Sequence, residues 1–231
     1  MDGARAVLRG PEHHHLCRVL RAKPGDKVWL FDDEGRRYQA ELASAGENES
    51  RLNILDVLEP REFPTRIILA AALLKAGAMD EVILRATELG AVRIVPVEAE
   101  RSVARAGDHP ERKVERWSKI ALAAAKQSRA ARPPAIDAPV PLADFLAGCR
   151  SDRRFILDEN GGMSLKRLRG PENPPPAEAA VLIGPEGGWT DAERKAAAAA
   201  EFEPVGLGRT VLRAETAALS VLTILAFEWN W

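Results

Sequence analysis

At 231 residues the chain is long enough for one large domain, or for a small domain joined to a medium one. Its 46% hydrophobic and 29% charged content excludes an intrinsically disordered polymer and fits a globular fold. A formal net charge of −1 excludes a generally basic nucleic-acid binder, so any RNA contact must come from local Lys/Arg clusters.

No basic segment followed by a long apolar stretch opens the sequence, so no signal peptide is expected. No apolar run approaches the ~18 residues of a membrane span. Cys17 and Cys149 form neither a spaced metal motif nor a disulfide framework, and a reducing, cytoplasmic setting is the expectation.

The first sixty residues carry strand signals. HHHLCRVLR (13–21) reads as a short helix with Leu16, Val19 and Leu20 on one face. KVWLF (27–31), YQAEL (38–42) and RLNILDV (51–57) are part-alternating runs divided by PGD, DDEG and AGENES, which are turn compositions. This predicts a small β-rich module that ends in the proline-flanked linker EPREFP (59–64).

From residue 66 the texture changes. IILAAALL (67–74) is continuously apolar, as in a strand buried on both faces. MDEVILRATELG (79–90) has helical spacing at Met79, Val82, Ile83 and Ala86, with Gly90 placed to end the helix. VRIVPV (92–97) is a second buried strand. A long helix over 110–130 starts near Pro110, carries Val114, Trp117, Ala121 and Ala124 on one stripe, and stops at Pro133-Pro134. A helical piece at 141–149, the strand RRFILD (153–158) and the loop GPENPPP (170–176) follow.

The last part predicts a strand at 179–183, a helix at 190–200, a strand at 204–207 and a helix from 214 to 229. Thr190 and Glu193 have capping-box spacing. Alternating strands and helices imply an α/β domain with a mainly parallel sheet.

Two loops stand out. IGPEGGWTDAE (183–193) leaves a buried strand through three glycines and enters a helix, where open α/β sheets place ligands. On spacing alone it is either a tight turn with an exposed Glu186 or the wall of a ligand site. Neither GxGxxG nor GxxxxGK[ST] is present. GLGRTVLRAET (206–216) repeats the arrangement, with Arg213 and Glu215 flanking the start of the final helix. If their strands are neighbours, both glycine loops enclose one ligand.

These residues resemble the two knot-forming loops of RsmE-type methyltransferases of the SPOUT superfamily. HHLCRVLRAKPGD (14–26), LLKAGAMDEVILRATELGAVRIVPVEAERS (73–102) and RWSKIALAAAKQSRAARPPAI (116–136) extend the likeness over almost the whole chain. The resemblance implies a PUA-like RNA-binding domain at 1–62 and a trefoil-knotted SPOUT methyltransferase domain at 65–231. It implies methylation of N3 of one uridine in 16S ribosomal RNA, with S-adenosyl-L-methionine as cofactor.

The cofactor residues implied are Ile183, Gly184, Pro185, Glu186, Gly187, Gly188, Leu207, Gly208, Leu212, Ala214 and Ala217. The glycines are expected there because side chains would collide with the cofactor. Arg213 is implied to steady charge on a uracil carbonyl, and Glu215 or Glu186 to orient groups or take the N3 proton. RNA contacts are implied at His15, Arg18, Arg21, Lys23, Lys75, Arg101, Gln127, Arg129 and Arg132. For His13, His14 and His15 the expectation is that one packs, the others face solvent or RNA, and none holds a metal.

The final helix is apolar on more than one face, and the resemblance implies a homodimer through it, anchored by Trp229 and Trp231. The implied substrate form is the assembled small subunit. Two departures stand beside the likeness. An additional first strand with an Arg-x-Phe element is not expected here, since VLRGPEHHHL follows Met1 almost at once. KQSRA (126–130) replaces the family's Glu-Gln-x-Gly-Arg. Two other readings compete. One is a nucleotide-phosphate enzyme, which would lack a phosphate-binding lysine. The other is a non-catalytic RNA-binding or ribosome-assembly factor with a retained cofactor fold.

Overall fold

The structure is a computed structural model that describes residues 4–32, 36–58, 63–128, 130, 132–162, 165 and 174–229. The chain divides into two compact units, residues 1–62 and 63–231.

The first unit is an antiparallel sheet of β1 (Arg5–Arg9), β2 (Lys27–Phe31), β3 (Arg37–Ala45) and β4 (Glu49–Leu58), in the order β1-β4-β3-β2. β1 corrects the expectation of a missing first strand: Arg5–Arg9 pairs antiparallel with Glu49–Asn53. Alternation puts Ala40, Leu42 and Leu52 on one face, where Leu16 covers them. Leu16 comes from α1 (Gly10–His14) and the π-helical turn His15–Val19 that continues it.

Val19 and Leu20, expected beside Leu16, are instead 60% and 58% exposed, because the wider π turn rotates them off the core. Arg21 then adopts a left-handed φ of 54°, and Ala22 N–H donates back to the Leu16 carbonyl. Of the linker EPREFP, residues 59–62 lie outside the described residues.

The second unit holds a sheet in which every pairing is parallel. Its strands are β5 (Arg66–Ala72), β6 (Arg93–Glu98), β7 (Ala135–Ile136), β8 (Val140–Pro141), β9 (Arg153–Leu157), β10 (Glu178–Ile183) and β11 (Glu203–Val205). The order is β11-β9-β10-β5-β6-β7, with β8 also on β6.

The apolar runs bury both faces. Ile67, Leu69 and Ala71 point toward α2 (Ala76–Glu88), α3 (Pro110–Ser128) and α6 (Ala214–Glu228). Ile68, Ala70 and Ala72 point toward α4 (Leu142–Gly148) and α5 (Asp191–Ala199). The predicted stripe of α3 buries Trp117, Ala121 and Ala124. Gly90 ends α2 as expected, at φ 75°; a side chain there would also strike the Phe63 ring, 2.6 Å from a Cβ. β7 and β8 are too short to carry a periodic signal, and the sequence reading leaves them as loop.

Candidate active site

Three strand ends build the site. β9, β10 and β11 run parallel, so their carboxyl ends share one edge of the sheet. β10 and β11 are not neighbours; β9 stands between them. The two glycine loops therefore meet across the end of β9. The cavity they form is lined by Leu157, Asp158 and Glu159 at and after the end of β9 and by Ile183, Gly184, Pro185, Glu186 and Gly188 at and after the end of β10. Val205, Leu207, Gly208 and Leu212 after β11, with Ala214 and Ala217 of α6, complete most of the wall.

The first loop is held from every side. Gly188 sits at φ 67° and its N–H donates to the Pro185 carbonyl at 2.9 Å, closing a turn that other residues enter only with strain. Trp189 is 2% exposed and donates its indole Nε1–H to the Leu157 carbonyl at 3.0 Å, tying this loop to β9. A Cβ on Gly184 would lie 3.0 Å from that indole, and one on Gly187 would lie 3.0 Å from the Arg101 Cβ. The glycine requirement at 184 and 187 therefore comes from protein contacts.

Below the loop, Thr190 and Glu193 form the predicted capping box. Thr190 N–H donates to Glu193 Oε2 at 2.8 Å, and Glu193 N–H to Thr190 Oγ1 at 3.3 Å. Glu193 Oε1 also accepts from Glu100 N–H at 2.8 Å, fixing the segment after β6 to the same helix start.

Asp158 is the buried anion of the wall. Its Oδ2 accepts from Arg194 Nε at 2.7 Å, and its Oδ1 from Asn160 N–H and Nδ2 at 2.9 and 3.1 Å. The hydrogen bond to Asp158 pushes the Arg194 guanidinium above its usual range. Sequence reasoning passes over Asp158, Glu159 and Arg194. The legible signal is an acid pair, LDEN (157–160), at the carboxyl end of an apolar strand, the same position that holds the glycine loops.

The second loop is open. Val211 is 75% exposed, and Gly208, Arg209 and Thr210 are also exposed. Gly208 has φ 137°, and a Cβ there would meet no atom within 4 Å. At its end Arg213 is the N-cap of α6 and makes no side-chain cap, so the first N–H groups of that helix lack a side-chain acceptor.

Of the cofactor residues predicted from sequence, Gly187 alone is outside the cavity wall. Glu186 lines the wall and is exposed. Arg213, exposed, and Glu215, half-buried in the first turn of α6, lie beside the wall without lining it. In the first unit, His15, Arg18, Arg21 and Lys23 are exposed, and His13 is the histidine that packs. In the second, Lys75 precedes α2, Gln127 lies in the last turn of α3, and both are exposed, as is Arg132. Arg101 donates from Nη1 to the Gly187 carbonyl at 3.2 Å, so it supports the first glycine loop. Arg129 lies outside the described residues.

Trp229 corrects a further expectation. It is 2% exposed and packs 6.3 Å from the Phe155 ring inside its own unit, so it is not available to a partner subunit. Trp231 lies outside the described residues. Among the described residues no group of three or more His, Cys, Asp or Glu side chains is gathered as a metal site, and no helix is long and apolar enough to cross a membrane.

The parallel sheet with this cavity and the small antiparallel unit correspond to the two parts of an RNA methyltransferase. Residues 61–226 match the RNA methyltransferase domain family, and residues 8–55 match the RNA methyltransferase PUA domain. Ribosomal RNA small subunit methyltransferase E of Synechocystis is 34% identical over 221 residues, covering 93% of this chain and 70% of that protein. The chain belongs to the ribosomal RNA small subunit methyltransferase E family.

Two solved relatives have the same architecture. The Neisseria gonorrhoeae methyltransferase E bound to S-adenosyl methionine matches with a TM-score of 0.88 and 28% identity, over 99% of this chain and 94% of that one. A Legionella pneumophila methyltransferase in complex with SAM matches with a TM-score of 0.85 and 29% identity, over 97% and 92%.

Proposed function

We propose that the protein is an S-adenosylmethionine-dependent methyltransferase of 16S ribosomal RNA, acting on N3 of one uridine. The observation that carries this reading is the cavity where the loops after β9, β10 and β11 converge. Its chemistry fits the cofactor. Ile183, Val205, Leu207 and Leu212 offer apolar surface to a flat adenine, main-chain groups of both loops offer hydrogen bonds, and Glu159 and Glu186 offer charge opposite to an ammonium and a sulfonium.

When bound, S-adenosylmethionine supplies an electrophilic methyl group on a positively charged sulfur. The protein's part is to orient the uracil and handle the N3 proton, since protonated N3 is a poor nucleophile. Glu186 takes that proton on a carboxylate oxygen, supported by its place in the wall. Arg213 steadies the negative charge that develops on a uracil carbonyl, supported by its exposure at an uncapped helix start beside the cavity. Glu215, two residues on, orients the arginine.

The reading extends to a PUA-like domain at 1–62, a methyltransferase domain at 65–231 and a cytoplasmic setting. It also includes a trefoil threading of 180–215, supported by a chain that passes from β10 beyond β9 to β11 and sends its next loop back to the end of β10. Exposed His15, Arg18, Arg21 and Lys23, and Lys75, Arg101, Gln127, Arg129 and Arg132, contact the RNA of an assembled small subunit. The protein is a homodimer through α6, whose outward Thr216, Leu219, Thr223 and Phe227 carry no charge. A monomeric sedimentation coefficient at micromolar concentration would remove the dimer.

The deciding experiment supplies methyl-labelled S-adenosylmethionine to small subunits lacking the modification and analyses the nucleosides. Label in 3-methyluridine at one position is the expected result. Saturable cofactor binding without label would overturn the substrate assignment.

A further inference from the structure

Remote in sequence from the cavity loops, the first unit holds a thiol, a hydroxyl and an imidazole in contact. His13 and Cys17 are four residues apart at the junction of α1 and the π turn, and Ser50 reaches them from the start of β4. His13 Nε2 lies 3.1 Å from the Glu47 carbonyl oxygen. A carbonyl only accepts, so Nε2 carries the hydrogen and Nδ1 of the neutral ring presents its lone pair. That lone pair faces Ser50 Oγ at 2.8 Å. Cys17 Sγ lies 3.4 Å from the same Oγ and 3.6 Å from Nδ1. Ser50 is fully buried, whereas Cys17 is partly exposed.

The order Sγ–H, Oγ–H, Nδ1, with Nε2–H anchored on a main-chain oxygen, is a nucleophile followed by a relay, a base and an orienting group. We propose that Cys17 is a reactive thiol, activated by His13 through Ser50, and the site at which this protein is capped by low-molecular-weight disulfides. Ser50 passes its hydroxyl proton to His13 Nδ1 and takes the thiol proton. The Cys17 sulfur then attacks one sulfur of the disulfide, whose S–S bond breaks as the mixed disulfide forms. The leaving thiolate takes the proton back from the imidazolium, so atoms, charge and electrons balance.

Cys149 provides an internal contrast. It is 6% exposed, its sulfur lies 3.8 Å from Ser151 Oγ, and that hydroxyl donates to the Glu178 carboxylate at 2.9 Å rather than to an imidazole. Cys17 lies next to Arg18 and two residues from His15. An acidic adduct there weakens RNA engagement, a consequence that rests on the RNA-binding role proposed above.

The test treats the full-length protein with dithiodipyridine, an uncharged disulfide, follows thiopyridone release and locates the adduct by mass spectrometry. Cys17 reacts on the order of tenfold faster than Cys149 and than the same cysteine in the urea-unfolded chain. His13→Asn keeps an acceptor near Nδ1 without a base, and Ser50→Ala removes the relay; each lowers the rate by about tenfold at an unchanged circular dichroism spectrum. Labelling of Cys149 first, or wild-type rates in His13→Asn, would overturn the proposal.

A second arm uses glutathione disulfide and measures methyl transfer to small subunits. Activity falls in the wild type and is unaffected in Cys17→Ser. An adduct that forms on Cys17 without changing methyl transfer leaves the reactive thiol standing and removes the RNA consequence.

Discussion

The two glycine loops of the cavity have the same outline in sequence and opposite physical character. Residues 184–188 are clamped: Trp189 fills the space beside Gly184, Arg101 lies against Gly187, and a closed turn holds Gly188. Residues 206–212 are open: Gly208 has empty space where a side chain would project, and Val211 faces solvent. The helices they feed differ in the same sense, since α5 begins with a capping box and α6 with an arginine that caps nothing. The cavity thus has one wall fixed by packing and one open to solvent. Glycine marks both, for packing at 184 and 187 and for a left-handed backbone at 188 and 208.

The comparison makes substitutions in the first loop matter chiefly to stability, and those in the second to binding. Trp189→Ala carries the largest expected loss. It empties a buried site and strands the Leu157 carbonyl, at a cost of about 3–5 kcal/mol in urea unfolding. A loss under about 1 kcal/mol would break the contrast. Gly184→Ala pushes a methyl into the same indole and costs about 1–3 kcal/mol. Isothermal titration on the folded fraction should then find weaker cofactor binding as well, because the indole can yield only by shifting the wall.

Thr190→Ala removes the hydrogen bond to Glu193 N–H and costs about 1 kcal/mol, read as a lower urea midpoint at constant slope. Val211→Ala leaves unfolding within about 0.5 kcal/mol, since the side chain is mostly in water. It weakens cofactor binding by roughly fivefold, the equivalent of about 1 kcal/mol of lost apolar contact. Equal loss of stability and binding at Val211 would mean that the second loop is as fixed as the first.

Much of the fold is legible in the sequence. Hydrophobic periodicity locates α2 and α3, because each has to bury one stripe against a sheet, and the Thr190–Glu193 capping box locates the start of α5. The apolar runs at 67–74 and 179–183 announced strands covered on both faces. Strand order was not legible: a parallel pairing leaves no mark on either partner's pattern, and β9 between β10 and β11 is a fact of topology. Asp158 and Glu159 escaped notice for that reason, since only the strand order brings LDEN to the cavity. The crowding of Gly184 and Gly187 by the protein itself is not legible, because Trp189 and Arg101 act through space, Arg101 from more than eighty residues away. β1 is hard to read from sequence because RAVLR is short and departs from the family's usual opening.

Arg213 offers the smallest expected change in stability and the sharpest separation of the two roles. It stands at the N-cap of α6, where Ser, Thr, Asp or Asn would accept hydrogen bonds from the first turn; an arginine only donates and repels the positive end of the helix dipole. A residue selected for stability would not be placed there. Arg213→Ala should leave urea unfolding within about 0.5 kcal/mol of wild type. Methyl transfer to small subunits should fall about 10²-fold in turnover, with cofactor affinity unchanged, if the guanidinium stabilises charge that develops only during reaction. Unchanged turnover would remove the catalytic role. A fall in stability comparable with that of Thr190→Ala would show that the second loop relies on Arg213 as the first relies on its capping box, and the contrast between clamped and open walls would fail at its most exposed point.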